Sequence, residues 1–505
     1  MNKIIEAFDK LMNGITMYRL LIYGLIVLIV GATVFSSLKE VFFTPYALID
    51  STVVLIIVCY LANKLFSIIY DADANSESWL ITALILVCIL PPESNIHNLS
   101  LLALGGLLAN AGKYIVAYKH RHLFNPAALA AVILGVSKIL PAIWWIGNPH
   151  MLVLTLIFGL MILRKLHRFQ LFFVFLVASL ILTSIIGVGH HISLSTSLET
   201  AFKSSPLIFL GTVMLTEPTT IPPGKRQQGV YGAIVGLIFT CQLSLGPVSA
   251  TPELALVLGN LYTFAVSPKY KLKLKYKSFT KLAPHIYDIS FASDTKIMFK
   301  PGQYMDWTLA HKSDSRGNRR TFSIASAPGD SNLHIVMRFQ DKASSFKNKL
   351  IELTDGDSIT VGQLSGNFVM PDDKSKKLLF VAGGIGVTPF ISMVSYLVKN
   401  DQKRDIVMFY MVSNEAEFCF KDLWQQAAGL GIKVVPVLTN GEPSQLWNGL
   451  NGRLSESMLT QYVPAYKERR CYISGPNGFV TSYKSLLKKL GIKQQSIVSD
   501  YFSGY

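Results

Sequence analysis

Two textures divide the chain. Up to about residue 267, apolar residues run in long, nearly unbroken stretches; beyond it they alternate with polar ones in short runs. Residues 17–35 (MYRLLIYGLIVLIVGATVF) and 46–63 carry the ~20 helical residues that a bilayer core demands. Further apolar stretches at 79–90, 99–112, 124–142, 150–163, 170–188, 204–216, 229–247 and 252–266 bring the expected number of spans to ten. Several are too short to cross alone and are expected to be tilted or broken helices, which membranes tolerate where they line a protein-buried cavity. Asp9 and Lys10 precede the first run and no small-residue cleavage site follows it, so the N-terminus is not expected to be a cleaved signal.

After residue 268 the runs YKLKLKYKSF, IYDISFAS, LHIVMRFQ and SITVGQL alternate with period two and are broken by Gly and Asp turns, the pattern of a small antiparallel barrel. From 376 the pattern changes to strand–helix alternation: KKLLFVAGG, TPFISMVSYLVKN, DIVMFYMV, FCFKDLWQQAA, IKVVPVLT, CYISG and GFVTSYKSLLKKL. That alternation predicts a parallel α/β domain. The expected organisation is a polytopic all-α membrane domain at 1–267, an antiparallel β-barrel at 268–373 and an α/β nucleotide-binding domain at 374–505.

Composition separates the halves further. Residues 1–267 hold 15 Lys/Arg and 11 Asp/Glu, leaving 32 and 20 for 268–505, so the formal +16 is not gathered into a nucleic-acid-binding face. In the first half the bases sit between apolar runs. With the N-terminus inside, the even-numbered spans return onto Lys113–Lys119–Arg121, Arg164–Lys165–Arg168, Lys225–Arg226 and the Lys-rich 269–277 stretch, while the loops at 43–45, 91–98, 143–149 and 189–198 have few bases. This asymmetry predicts an inner (plasma) membrane protein whose N-terminus and second half are cytoplasmic. The five cysteines stand singly, without a C-x-x-C pair, so neither a disulfide framework nor a metal or iron–sulfur site is readable.

Candidate chemistry is concentrated in the second half. RRTFSIASAP (319–328) supplies Arg320, Phe322 and Ser323, preceded by Gly302-Gln303-Tyr304 in FKPGQYMDW. A guanidinium suits a pyrophosphate, an aromatic two residues on lies on the same face and suits a flavin ring, and a hydroxyl suits ring N5. FVAGGIGVTPFISM (380–393) reads as a strand, a turn with Gly383, Gly384 and Gly386, and a helix opened by Thr388-Pro389; glycines let backbone approach a phosphate, and a helix N-terminus offers free N–H groups. YISGPNGFV (472–480) ends another strand at Ser474-Gly475-Pro476.

In this order the set closely resembles the ferredoxin–NADP reductase superfamily over about residues 268–505. The resemblance implies that Arg320, Thr321, Phe322, Ser323 and the Ser326 segment hold FAD, with Ser344 and Ser345 of DKASSF near its pyrophosphate. It implies that Gly383, Gly384, Gly386, Thr388, Pro389, Gly475 and Pro476 meet NAD(P)H. Ser323, Ser474 and Asp500 are the implied catalytic residues. Ser474 replaces the family's cysteine, where a hydroxyl can still position the nicotinamide. Asp500 and Phe502 in the terminal SDYFSGY resemble the family's acid–aromatic element, and Tyr505 would shield the flavin. After the second strand of the nucleotide domain, VSNEAEFCFKD (412–422) offers Ser413 and Glu415 but no Arg, which favours NADH.

Two segments of the first half are unusual: KHRHLFNPAALAAVILG (119–135), where Asn125-Pro126 opens an apolar run as an ordinary capped helix also would, and LGTVMLTEPTTIPPGKRQ (210–227), where Glu217 lies near membrane depth or at a wet helix end. Together they resemble the integral membrane component shared by sodium-pumping NADH:quinone oxidoreductases and Rnf electron-transport complexes, over much of 80–266. That family has ten spans, handles flavin and passes electrons. Its S-G-A-T site for covalent FMN is missing; the corresponding loop reads HHISLSTSLETAF, so a second flavin, FMN or riboflavin, would be noncovalent. Bis-haem ligation needs helical His pairs 13–14 residues apart, and none of the first half's histidines has that spacing.

The function expected is therefore a membrane-bound flavin-dependent oxidoreductase. It would pass electrons from NAD(P)H through FAD, which splits the donated pair, into the ten-span domain and on to a quinone or an extracytoplasmic acceptor. Expected partners are membrane lipid and that acceptor, without nucleic acid. Two other readings stay open: a transporter or flavin-binding scaffold with a regulatory reductase domain, and a haem-type ferric or oxygen reductase.

Overall fold

The computed structural model describes residues 15–70, 77–118, 121–246, 248–267, 272–311, 314, 318–339, 343–463 and 465–502. The chain separates into two compact units, Met1–Lys271 and Leu272–Tyr505.

The first unit is helical: α1 Met17–Ser37, α2 Pro45–Ile69, α3 Ser78–Ile89, α4 Ile96–Ile115, α5 Pro126–Val136, α6 Leu152–Leu166, α7 Phe169–Gly189, α8 Leu194–Lys203, α9 Leu207–Phe209, α10 Lys225–Thr240 and α11 Pro252–Val266. Each of the ten apolar stretches falls on a helix. Among the described residues four helices, Met17–Ser37, Pro45–Ile69, Pro149–Leu166 and Phe169–Gly189, are long and apolar enough to cross a membrane. Others are shorter than their apolar stretches. The run at 124–142 is helical only to Val136, beyond which Lys138 turns with φ 57°. At 204–216, α9 passes into a π-turn, Leu210–Met214, before Glu217-Pro218. The run at 229–247 ends its helix at Thr240, followed by two short paired strands.

Small residues let helices of this unit approach closely. On α10, Gly232 and Gly236 face α7 so closely that an added Cβ would lie 2.9 Å from the Leu171 carbonyl oxygen and 2.7 Å from that of Phe175. The packing order also repeats. Helix α2 packs on α4 and α4 on α5, as α7 packs on α10 and α10 on α11; α5 and α11 then pack on each other. Both α5 and α11 open with a side-chain cap followed by proline: Asn125 Oδ1 accepts from Ala128 N (3.0 Å) and Thr251 Oγ1 from Leu254 N (3.3 Å).

The second unit begins with a six-stranded antiparallel sheet: β1 Leu272–Ala283, β2 Ile286–Ala292, β3 Tyr304–Thr308, β4 Arg319–Ser323, β5 Asn332–Arg338 and β6 Ser358–Ser365, in the order β4-β3-β6-β1-β2-β5, with α12 Ser345–Ile351 before β6. Alternating residues such as Leu274, Ile289, Met305, Trp307 and Ile335 are fully buried inside it. A six-stranded parallel sheet follows, built from β7 Leu378–Gly383, α13 Thr388–Lys399, β8 Ile406–Val412, α14 Lys421–Ala428, β9 Ile432–Leu438, β10 Leu450–Asn451, α15 Glu456–Tyr462, β11 Arg470–Pro476, α16 Asn477–Lys489 and β12 Ile497–Phe502, in the order β10-β9-β8-β7-β11-β12. Every residue of β7 and β8 is buried, because helices cover both faces of the central strands.

The two sheets share a core in which Ala325, Val336 and Phe368 pack among side chains of the parallel layer. Polar ties join them as well. Arg338 holds Glu417 through both carboxylate oxygens, Ser392 donates to the Ser326 carbonyl (2.7 Å), and the Tyr472 hydroxyl donates to the Val369 carbonyl (2.8 Å). Glu417 is 7% exposed, so the Arg338 guanidinium offsets a desolvation cost of several kcal/mol.

Candidate active site

Strand β4 runs antiparallel to β3, with Ser323 opposite Tyr304, Phe322 opposite Met305, Thr321 opposite Asp306 and Arg320 opposite Trp307. The pleat places Arg320 and Phe322 on one face. The Phe346 ring of α12 joins them, 6.0 Å from the Phe322 ring and 5.4 Å from the Arg320 guanidinium carbon. Asp314 stands 3.8 Å from Arg320 Nη2. Thr321 is exposed on the other face, where its hydroxyl donates to Asp306, which also receives Arg319 Nη2 at 2.6 Å. Thr321 is therefore not brought to the Arg320–Phe322 face. Ser344 caps α12, its hydroxyl accepting from Lys347 N, and the Ser345 hydroxyl bonds His311 Nε2 (3.0 Å) and Asp314 N (2.8 Å). Both serines organise the loop beside Phe346 with hydroxyls already engaged.

The glycine turn lies at the C-terminal edge of the parallel sheet. Gly383 ends β7, Gly384 takes φ 52°, and Thr388-Pro389 open α13 after a tight turn at Gly384–Val387. Ala382 on β7 is in register with Ser474 on β11, and Ser474 with Asp500 on β12. At Gly386 the turn meets the end of β11 so closely that a Cβ would lie 2.4 Å from the Ser474 carbonyl oxygen. Three separate motifs of the sequence thus converge at one sheet edge.

Two hydroxyls there are almost completely buried, Thr388 at 2% and Ser474 at 0% exposure, and neither Oγ has a partner among the described residues. A buried hydroxyl left unpaired costs about 1–3 kcal/mol, so such groups at a glycine turn fit a ligand that supplies the missing bonds. Asp500 is partly buried, and burial pushes its carboxyl up to about 7 although Tyr501 N donates to it at 3.1 Å. Near neutrality it can hold a proton. The terminal segment expected as an acid–aromatic element forms the edge strand β12, which fixes Asp500 by sheet register; the side chain of Phe502 and all of Tyr505 lie outside the described residues.

In the helical unit the two unusual segments meet. Glu217 accepts from the Thr219 (2.9 Å) and Thr220 (3.1 Å) hydroxyls and lies 3.4 Å from His122 Nε2. Fully buried Asn260 links the segments: its Oδ1 accepts from Asn125 N at 2.8 Å, and its Nδ2 donates to the Tyr231 hydroxyl and the Thr220 carbonyl. No motif in the sequence marks Asn260. The one available signal is a lone amide inside the apolar run of 252–266, which must find partners when buried. Among the described residues no group of three or more His, Cys, Asp or Glu is placed to hold a metal ion.

Residues 380–485 match the family described as Oxidoreductase NAD-binding domain. The chain is 28% identical over 217 residues to the stachydrine N-demethylase reductase subunit Stc4 of Rhizobium meliloti, covering 42% of this chain and 61% of that protein. It is 26% identical over 210 residues to the glycine betaine monooxygenase reductase subunit of Chromohalobacter salexigens, covering 40% and 56%. A solved cytochrome P450 reductase of Amycolatopsis, GcoB, overlaps 46% of this chain and 69% of its own with a TM-score of 0.41 and 20% identity. The chain thus spans little more than half the length of the curated relatives it matches. The second unit resembles a ferredoxin–NADP reductase module, similar to an oxidoreductase NAD-binding domain and to reductase subunits. FAD and NAD(P)H are the cofactors of such a module. The residues present fit both: a planar guanidinium beside an aromatic face on β4, and two unpaired buried hydroxyls at the glycine turn.

Proposed function

We propose that the chain is a membrane-bound NAD(P)H oxidoreductase, in which electrons pass from the dinucleotide through FAD into the helical unit and on to a quinone or an extracytoplasmic acceptor protein. The observation that carries this reading is the covalent union of an oxidoreductase module with a helical unit containing four helices long and apolar enough to cross a membrane. A tether holds donor and acceptor at the high effective concentration that separate proteins lack. The domains are 1–267 in the lipid of the inner (plasma) membrane, traversed ten times, then 268–373 for FAD and 374–505 for the dinucleotide, both cytoplasmic. A second noncovalent flavin in the helical unit, FMN or riboflavin, belongs to this reading; the network through Asn260 that joins the two family-like segments supports it.

Hydride acceptance by the isoalloxazine, and its release as single electrons, is the chemistry the cofactors supply. The chain's part is to bind and orient. Arg320 would neutralise the FAD pyrophosphate and Phe322 would lie against the ring, while Ser323, whose place in the pleat is that of Thr321, would donate toward N5 only from the very end of β4. Thr388 and Ser474 would donate to the nicotinamide half, beside the Gly383–Gly386 turn that admits phosphate, with Pro389, Gly475 and Pro476 shaping its walls. Asp500, in register with Ser474, holds its proton at the same edge.

In proteoliposomes the full chain is expected to oxidise NADH with a lipid-soluble quinone, and to reduce ferricyanide at a rate independent of lipid. Quinone reduction that survives unchanged when residues 1–267 are deleted would overturn the coupling.

A further inference from the structure

Strand β1 alternates strictly over LKLKYK (272–277). Leu274 is fully buried inside the sheet and Tyr276 partly so, while Lys273, Lys275 and Lys277 are exposed on the outer face. A charge on a strand surface is stabilised by an opposite charge directly across the ladder. Here the residues across the ladder are uncharged: Thr360 stands opposite Lys273, and Ser358 and Ala292 flank Lys275. Lys277 stands at a bulge between the paired residues Tyr276 and Ser278. Lys275 meets Asp294 at 3.6 Å with both side chains well exposed, a weak pair in water, and among the described residues Lys273 and Lys277 have no ion pair. The acids of the adjoining strands bond elsewhere: Asp357 accepts from Thr354 N (2.8 Å) and its hydroxyl, and Asp288 holds His334. Three cations thus form a row roughly 13 Å long.

Resting on the reading that the first unit spans a membrane, we propose that Lys273, Lys275 and Lys277 form a docking surface for anionic lipid headgroups, which seats the second unit on the bilayer. Two observations select this occupant. The row carries one sign, which complements phosphate-bearing headgroups. Five residues of chain separate Val266, the end of the apolar helix α11, from Leu272, the start of β1. A tether that short keeps the row at high effective concentration over the lipid surface. Each lysine within a Debye length of an anionic surface, about 8 Å at physiological salt, raises surface affinity about fivefold. Docking adds no redox step. By restricting how the second unit moves on its tether, it speeds delivery of electrons to a lipid-soluble acceptor and leaves reduction of a water-soluble one unchanged.

The test places the full-length protein in vesicles of phosphatidylcholine alone or with about one-third phosphatidylglycerol. A membrane-impermeant amine reagent, read out by mass spectrometry, reports the reactivity of each lysine. Lys273, Lys275 and Lys277 are expected to react about fivefold more slowly in the anionic vesicles, and about 1 M salt should erase the difference. The exposed Lys488 and Lys489 of α16 are the internal standards and should not change. Quinone reduction by NADH should be faster in the anionic vesicles while ferricyanide reduction stays the same. Lys273→Gln, Lys275→Gln and Lys277→Gln combined should remove that lipid dependence at the parent's Tm. Equal labelling in both compositions, a change shared by Lys488 and Lys489, or a combined variant that keeps the lipid dependence would overturn the proposal. So would protection that persists in detergent without lipid, which would mark coverage by protein. Labelling needs no electron transfer, and flotation with phosphatidylcholine vesicles in about 1 M salt reports insertion of the first unit by itself. Failure of the membrane reading is thereby distinguishable from failure of the docking surface.

Discussion

The contact at Gly386 gives a sharp prediction, because a single methyl group there meets backbone rather than a yielding side chain. In Gly386→Ala the new Cβ would lie 2.4 Å from the Ser474 carbonyl oxygen and 2.6 Å from Gly475 Cα, while van der Waals contact begins near 3.4 Å. The turn after β7 and the end of β11 must therefore separate by about 1 Å. Both strands are held in the sheet by register from Leu378–Arg470 to Ala382–Ser474, so the strain cannot be relieved by rotating a side chain. Overpacking of this kind costs about 1–3 kcal/mol, and backbone contact puts Gly386→Ala near the upper end. For a unit of this size ~3 kcal/mol lowers Tm by about 6–12 °C. Two neighbours serve as internal standards. Gly384→Ala meets nothing within 4 Å but must adopt φ 52°, at a cost of about 1–2 kcal/mol. Gly478→Ala, in the first turn of α16, also has open space and no positive φ, and should be neutral or stabilising by up to about 1 kcal/mol. Thermal unfolding followed by intrinsic fluorescence, with the KM for NADH, would check the series. A Gly386→Ala protein with the parent's Tm and KM would refute the claim that turn and strand end touch there.

Thr388→Val removes a buried hydroxyl without a partner, so the unliganded protein should be as stable as the parent or slightly more so, while dinucleotide binding weakens about tenfold; a loss of stability without ligand would show that the hydroxyl is already paired. Asp500 has a folded-state pKa of about 7, above its ordinary value because burial penalises the carboxylate, so its contribution to stability is fully present at acid pH and is lost as pH rises toward and through 7. Asp500→Asn should flatten that fall in a Tm-versus-pH series, and an unchanged profile would contradict the assignment. Arg338→Met leaves Glu417 buried without its guanidinium and should destabilise the second unit by about 1–3 kcal/mol, moderated because Arg338 is 38% exposed. Adding Glu417→Gln should recover most of the loss, and a double variant no better than the single one would deny that the pair joins the two sheets.

Periodicity alone is enough to divide this chain: long apolar runs can only be satisfied as helices, and runs of period two or of buried β-branched residues only as sheet. The glycine turn, the R-x-F-S strand and the S-G-P strand end are legible because phosphate approach and ring packing each demand particular residue types at fixed local spacing. Local spacing says nothing about distant segments. That Ser444 grips Glu415, that Asn260 joins Asn125 to Thr220, and that Glu417 is held by Arg338 follow from strand order and helix packing. Thr321 reads as a cofactor residue because a linear motif carries no face, whereas the pleat turns it toward Asp306. The terminal SDYF segment reads as an acid–aromatic element, but that it forms an edge strand follows only from the strand that accepts it. Sequence thus determined which kinds of layer could form and where phosphate could approach. Only the tertiary structure decided which polar groups meet, because partners far apart in the chain are chosen by packing and register.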